Sequence, residues 1–121
     1  MDTVTAFSPL CQLDQIPDDG AIAVDAWLSC GDAAAEAVSL ILLRRGEHVQ
    51  GYLNICPHSG RRLDYAPGKF LLKHETLICA VHGATFHQES GMCIAGPCRG
   101  QHLRAVKVRV TDGIVEWVPR M

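Results

Sequence analysis

The sequence predicts an all-β fold: an antiparallel β sandwich with a loop-rich subdomain inserted at about residues 56–102. Three observations point to it. Short apolar or alternating runs recur along the chain, Gly- and Pro-containing turn signals separate them, and helix signals are scarce. At 121 residues the chain reads as a single domain, 1–121, long enough to bury a real core.

The elements follow in order. Asp18-Asp19-Gly20 reads as a turn. Residues 32–38 hold alanines and a possible cap in Asp32, but span barely two turns; a short helix and a plain loop fit equally. Residues 40–43 form a buried-strand type of run. After the turn signal Arg45-Gly46-Glu47, residues 48–55 alternate through Val49, Gly51, Leu53 and Ile55, which predicts a hairpin. Residues 61–75 are the least regular; Pro67-Gly68 marks a turn, and Phe70, Leu71 and Leu72 are expected to anchor this loop to the core. Residues 76–79 form a short strand and 84–87 another, with a turn at Glu89-Ser90-Gly91. Residues 103–110 place Leu103, Ala105, Lys107 and Arg109 on one face and Val106, Val108 and Val110 on the other. Thr111-Asp112-Gly113 is a tight-turn signal, and 114–118 return as the partner strand.

Composition narrows the function classes. The chain is 48% hydrophobic with a formal net charge of -2, which fits a soluble globular protein and gives no sign of general nucleic-acid binding. No apolar run approaches the length of a membrane span, so no membrane partner is expected. Residues 1–13 lack a basic segment followed by an apolar stretch and contain Asp2 and Pro9, which argues against a secretory signal. The expected compartment is therefore the cytoplasm, where thiols stay reduced. In that setting six cysteines read as metal ligands before they read as a disulfide framework. Within residues 56–102, Arg61, Arg62, Lys69, Lys73 and Arg99 outweigh Asp64, Glu75 and Glu89 by +2, a modest asymmetry.

The chemistry concentrates in Cys56-Pro57-His58-Ser59-Gly60 and Cys79-Ala80-Val81-His82-Gly83. Each stretch offers one thiol and one imidazole followed by glycine, and twenty residues separate His58 from Cys79. Cys56, His58, Cys79 and His82 make a complete four-ligand set. Zinc accepts such a set tetrahedrally, but its Cys2His2 modules usually pair Cys with Cys and His with His. Here each half-site is one Cys and one His. A two-iron cluster explains the crossing better: both cysteines ligate one iron and both histidines the other. Gly60 and Gly83 then permit close approach of the backbone to the centre, or serve as ordinary turn glycines.

On these two motifs the sequence resembles the Rieske [2Fe-2S] family, from about residue 10 to residue 118. Gly91, Gly96-Pro97, Gly100 and Leu103 resemble that family's third, proline-containing loop, which covers the cluster. The spacer between the motifs is a few residues longer than in many members, an excess attributed to residues 67–73. The resemblance implies one [2Fe-2S] cluster per chain. Its ferric, sulfide and thiolate charges cancel when the imidazoles are neutral, so adding an electron costs less than in a four-thiolate centre and the potential rises. Proton uptake at His58 or His82 on reduction would make the potential fall at high pH; a potential flat to about pH 10 would contradict this.

High-potential members resemble one another in having extra cysteines in the two loops, joined by a disulfide. The matching positions here are Arg61 and Val81. They also have a Ser and a Tyr after the second His that donate to cluster and ligand sulfurs; Ala84 and Phe86 match and carry no hydroxyl. The expectation is a low-potential centre within the family range of about -150 to +300 mV.

With every iron position filled by protein, the centre can pass one electron but offers no site to substrate. The resemblance implies a ferredoxin-like carrier, not an enzyme, passing electrons from a reductase to an oxygenase or other terminal enzyme. The chain has no room for the mononuclear iron domain of the larger Rieske oxygenases. Small Rieske subunits of nitrite reductases are also similar, and a zinc-stabilised interaction module is the alternative of a different class. His48, His74, His87 and His102 read as surface or strand residues, since the ligand set is already full. Cys11 and Cys30 read as packed or partly exposed thiols. Cys93 and Cys98 flank the third loop and could approach each other, though a cytoplasmic setting favours thiols.

Overall fold

A computed structural model of the protein describes residues 8–28, 36–55, 63–64, 69–73, 75–79 and 83–118. They form eleven strands in three antiparallel sheets, as the sequence predicts for an all-β sandwich with an insertion. The outer sheet holds β1 (Ser8–Gln12), β11 (Ile114–Trp117) and β10 (Val108–Thr111), in that order. The middle sheet runs β2 (Ala21–Leu28), β3 (Glu36–Arg45), β4 (His48–Leu53), β9 (Ala105–Val106). A small sheet of β5 (Leu71–Lys73), β6 (Thr76–Ile78), β7 (Thr85–His87) and β8 (Cys93–Ala95) lies within the insertion. Among the described residues no helix is long and apolar enough to cross a membrane.

The apolar run in β3 has a direct cause. Leu40, Ile41, Leu42 and Leu43 are all buried. Successive side chains point to opposite faces of a strand, so an unbroken run means that both faces are covered. Leu42 joins Ile16, Val49 and Val115 in the core between the outer and middle sheets. Ile41 and Leu43 join Tyr52, Leu63, Leu77, Cys79, Ala84 and Phe86 in a second core beneath the small sheet. The middle sheet is thus the shared floor of sandwich and insertion.

The turns among the described residues behave as the sequence predicts; the Pro67-Gly68 turn lies outside them. Arg45 faces His48 across a two-residue loop with Gly46 at φ +62°. Thr111 faces Ile114 with Asp112 at φ +52° and Gly113 at φ +78°, the geometry of a type I′ hairpin. Gly20 donates its N–H to Pro17 O at 2.8 Å, closing the turn at Asp18-Asp19. Arg44 then binds the N-terminal segment to this hairpin: Nη1 donates to Ile16 O (2.9 Å) and Leu13 O (3.3 Å), and Nε to Gly46 O (2.6 Å).

Four local expectations need correction. Glu36–Val38 are strand, not helix or loop, because β3 pairs with β2 as far as Glu36 opposite Leu28; pairing overrides alanine's helix preference. The rest of that stretch lies outside the described residues. Residues 103–110 are not one strand: β9 sits beside β4, whereas β10 sits beside β11, with Lys107 between them. Strand β4 ends at Leu53, and Ile55 is 49% exposed and no longer shares the face of Val49 and Gly51. Phe70 and Leu72 pack on the core as expected, but Leu71 alternates outward and is exposed.

The insertion leaves and re-enters through neighbouring strands. Gly51 pairs with Val106 and Tyr52 with Ala105. A Cβ on Gly51 would sit 2.9 Å from Val106 O and 3.1 Å from a Val108 methyl, so glycine permits the close crossing of β9 and β10. Tyr52 reaches the other way and donates its hydroxyl to Gln88 O at 2.7 Å.

Candidate metal centre

Of the four predicted ligands, Cys79 is described; Cys56, His58 and His82 lie outside the described residues, as do Gly60, Arg61 and Val81. Cys79 follows β6 directly and is fully buried, in the core that also holds Leu77, Ala84, Phe86, Cys93 and Cys98. Its N–H donates to Ala84 O at 2.8 Å, and Gly83 N–H donates back to Cys79 O at 2.9 Å. These two bonds tie Gly83 and Ala84 back to Cys79 at the end of a sheet strand. Gly83 adopts φ +73°, and a Cβ at this position would meet nothing within 4 Å, so glycine is needed for the backbone conformation rather than for space.

The first motif is framed from both ends by one side chain. Asn54, 1% exposed, accepts the N–H of Leu63 on Oδ1 at 2.8 Å. Its Nδ2 donates to Ser39 Oγ at 3.3 Å, and its own N–H to Ser39 O at 2.9 Å. Residues 54 and 63 flank the motif, so Asn54 ties both ends of that loop to β3. Sequence reasoning missed this residue. The available signal was a lone Asn ending a strand just before a ligand motif, a place where a side-chain amide can satisfy loop backbone.

The third loop is self-supporting. Cys93 N–H donates to Gln101 O (2.7 Å), Gly100 N–H to Cys93 O (3.0 Å) and Gln101 N–H to Cys98 O (2.8 Å). At its crest Gly96 has φ +101°, and a Cβ there would lie 2.7 Å from Ala84 Cα. The crest therefore rests on the residue two places after His82. Pro97 is exposed, and Ala84 and Phe86 are fully buried without a hydroxyl. Gly91, at φ +76°, gives way to the Tyr52 ring, whose Cε1 would lie 2.8 Å from a Cβ.

The other histidines and thiols fall elsewhere. His48 and His102 are exposed, and His102 bridges to Met92; His74 and Cys30 are outside the described residues. His87, half-buried on β7, has a buried Nδ1 with no hydrogen-bond partner among the described residues. Cys11 packs against the sandwich core, and burial pushes its thiol up, away from the reactive thiolate.

The donor chemistry fits an iron–sulfur cluster. Two thiols and two imidazoles are available on the two motifs, and the described thiol, Cys79, is fully buried, with its backbone tied to Gly83 and Ala84. Residues 9–110 match the family model described as Rieske [2Fe-2S] domain. The chain belongs to the Rieske [2Fe-2S] family. Its cofactor is accordingly a [2Fe-2S] cluster.

Solved Rieske structures share the fold. The ferredoxin of carbazole 1,9a-dioxygenase from Nocardioides aromaticivorans superposes with a TM-score of 0.69 at 23% identity, over 95% of this chain and 99% of that one. The Sphingomonas yanoikuyae ferredoxin gives 0.71 at 22%, over 95% and 100%. The terminal oxygenase of carbazole 1,9a-dioxygenase from a Novosphingobium species gives 0.73 at 18%, over 97% of this chain but 31% of that one. No curated protein sequence matches the chain.

Proposed function

We propose that this Rieske protein is a one-electron carrier, a single domain over residues 1–121 whose Cys56, His58, Cys79 and His82 hold the cluster. The observation that carries the reading is the donor set. Two thiolates and two imidazoles fill the protein-facing positions of both irons and leave none for substrate. The bound cluster supplies one-electron redox chemistry. The chain's own residues hold it: Cys79 is fully buried and tied to Gly83 and Ala84 by backbone hydrogen bonds, and Gly96 approaches Ala84 closely.

The partners are a reductase on one side and a terminal oxygenase or similar enzyme on the other. Support comes from the neighbours: one similar structure is a complex of reduced oxygenase and oxidized ferredoxin in carbazole 1,9a-dioxygenase, with 18% identity. The compartment is the cytoplasm, consistent with the thiol-rich composition.

The potential is low for the family. Ala84 and Phe86 are buried beside the second motif and offer no hydroxyl donor, so the added electron is stabilised less. Metal analysis, paramagnetic resonance of the reduced protein and potentiometry test the whole reading together. Two irons per chain, a reduced-state signal and a negative midpoint are expected. Colourless protein containing zinc would overturn the carrier, and a clearly positive midpoint would overturn the low-potential assignment.

A further inference from the structure

Cys98 Sγ donates to Cys93 Sγ at 3.0 Å, and Cys93 Sγ donates on to Ala95 O at 3.2 Å. Neither residue belongs to the ligand set. We propose that Cys93 and Cys98 form a reversible disulfide that clamps the third loop over the cluster. This deepens the carrier reading and rests on it for what the loop covers.

Three features of the structure favour the bond. The sulfurs are about 1 Å beyond bonding distance, so closure needs little motion. The backbone around them is fixed independently of the sulfurs, by Cys93 N–H to Gln101 O, Gly100 N–H to Cys93 O and Gln101 N–H to Cys98 O. Both residues are 1% exposed, which shields a formed disulfide from casual reduction.

The bond would sit where it matters. Gly96 lies between the two cysteines, and its close approach to Ala84 joins this loop to the turn that carries Cys79. A crosslink from 93 to 98 closes a ring around Gly96 and Pro97 and removes loop conformations in which the crest lifts. Disulfides in a reducing compartment are transient and redox-sensing, which suits a carrier exposed to oxygen chemistry.

The oxidant is a low-molecular-weight disulfide of the glutathione class. One cysteine thiolate attacks it, one small thiol leaves, and a mixed disulfide forms. The second cysteine thiolate then attacks the mixed disulfide and expels the second small thiol. The two cysteine sulfurs are oxidised, the small disulfide is reduced to two thiols, and the two cysteine protons end on the leaving thiolates. Both sulfurs are buried, so the oxidant reaches them only when the loop, exposed at Ile94, Ala95, Gly96 and Pro97, opens locally.

Peptide mapping of the whole holoprotein tests the proposal. The protein is equilibrated in glutathione buffers from fully reduced to fully oxidised, quenched by alkylation and digested. A Cys93–Cys98 crosslink is expected in oxidised buffer, lighter by two hydrogens and lost on reduction. Separate alkylation of both residues in every buffer would overturn the proposal, as would a link from either to Cys79 or Cys11. A chelator assay reads the clamp: the oxidised form should release iron at least about threefold more slowly. The C93S/C98S variant should release it at one rate in all buffers. A wild-type rate independent of the buffer would overturn the clamp even if the bond forms. The crosslink is readable without a cluster, so absence of iron would sink the carrier reading and leave the peptide result standing on its own.

Discussion

Two side chains far apart in role show how much single hydrogen bonds decide in this protein. Asn54 is almost wholly buried and is the acceptor for Leu63 N–H, itself at a residue 1% exposed. Replacing it by alanine leaves that N–H without a partner and without water. Asn54→Ala should therefore cost about 1–3 kcal/mol, read as a lower denaturant midpoint, and should lower the iron content on purification, because the first motif loses its frame. Tyr52 is neutral in its buried place: burial, then the charge of Glu89, pushes its hydroxyl up to about 12. An unfolded tyrosine titrates near 10, so the folded state holds its proton longer. The stabilisation is fully present below about pH 10 and is lost as pH rises through about 12. Tyr52→Phe removes the bond to Gln88 O, at about 1 kcal/mol, and should flatten this alkaline loss; denaturant unfolding at two pH values on either side of that window checks both.

At the scale of elements, what the sequence reveals follows from whether a pattern has one physical cause. The β3–β4 and β10–β11 hairpins are legible because glycine turns and apolar strands agree. The break at Lys107 is not, because Val106, Val108 and Val110 keep period two straight through the hand-over from one sheet to another. Strand β8 is hidden for another reason: it is three residues long and pairs with β7 through a bulge. The ligand motifs stand out by chemistry, whereas Asn54 and the Gly96–Ala84 contact depend on tertiary neighbours that no local pattern encodes. That contact is testable within one loop. Gly96 and Gly100 both have positive φ, at +101° and +92°, but a Cβ meets Ala84 at 2.7 Å in the first case and nothing within 4 Å in the second. Gly100→Ala should cost about 1–3 kcal/mol from backbone strain alone. Gly96→Ala should cost more, and should also speed iron release, since it pushes the third loop away from the second. Equal costs and equal release rates for the two variants would show that the close approach has no consequence.

At the scale of the molecule, the two cores divide the work. The sandwich core of Ile16, Leu42, Val49 and Val115, with Leu10, Leu13, Ile22, Val24, Val108 and Val110 around it, contains no described residue of the 56–102 insertion. The second core joins Ile41, Leu43 and Tyr52 of the middle sheet to Leu77, Cys79, Phe86 and Cys93 of the insertion. Both ends of the insertion leave from adjacent paired strands, β4 and β9, so the sandwich closes without it. With Cys56, His58, Cys79 and His82 as the proposed ligands, the cluster would crosslink two loops of the insertion, and its binding energy would be folding energy for that part alone. Removing the cluster should therefore unfasten the molecule unevenly. Amides of β3, β4 and β11 should keep their hydrogen-exchange protection in the apo-protein, because their partners and their core persist. Amides of β6, β7 and β8, in three-residue strands, should exchange at least about tenfold faster than in the holoprotein. Uniform loss of protection through all three sheets would mean that the middle sheet does not act as an independent floor and that the metal holds the whole fold.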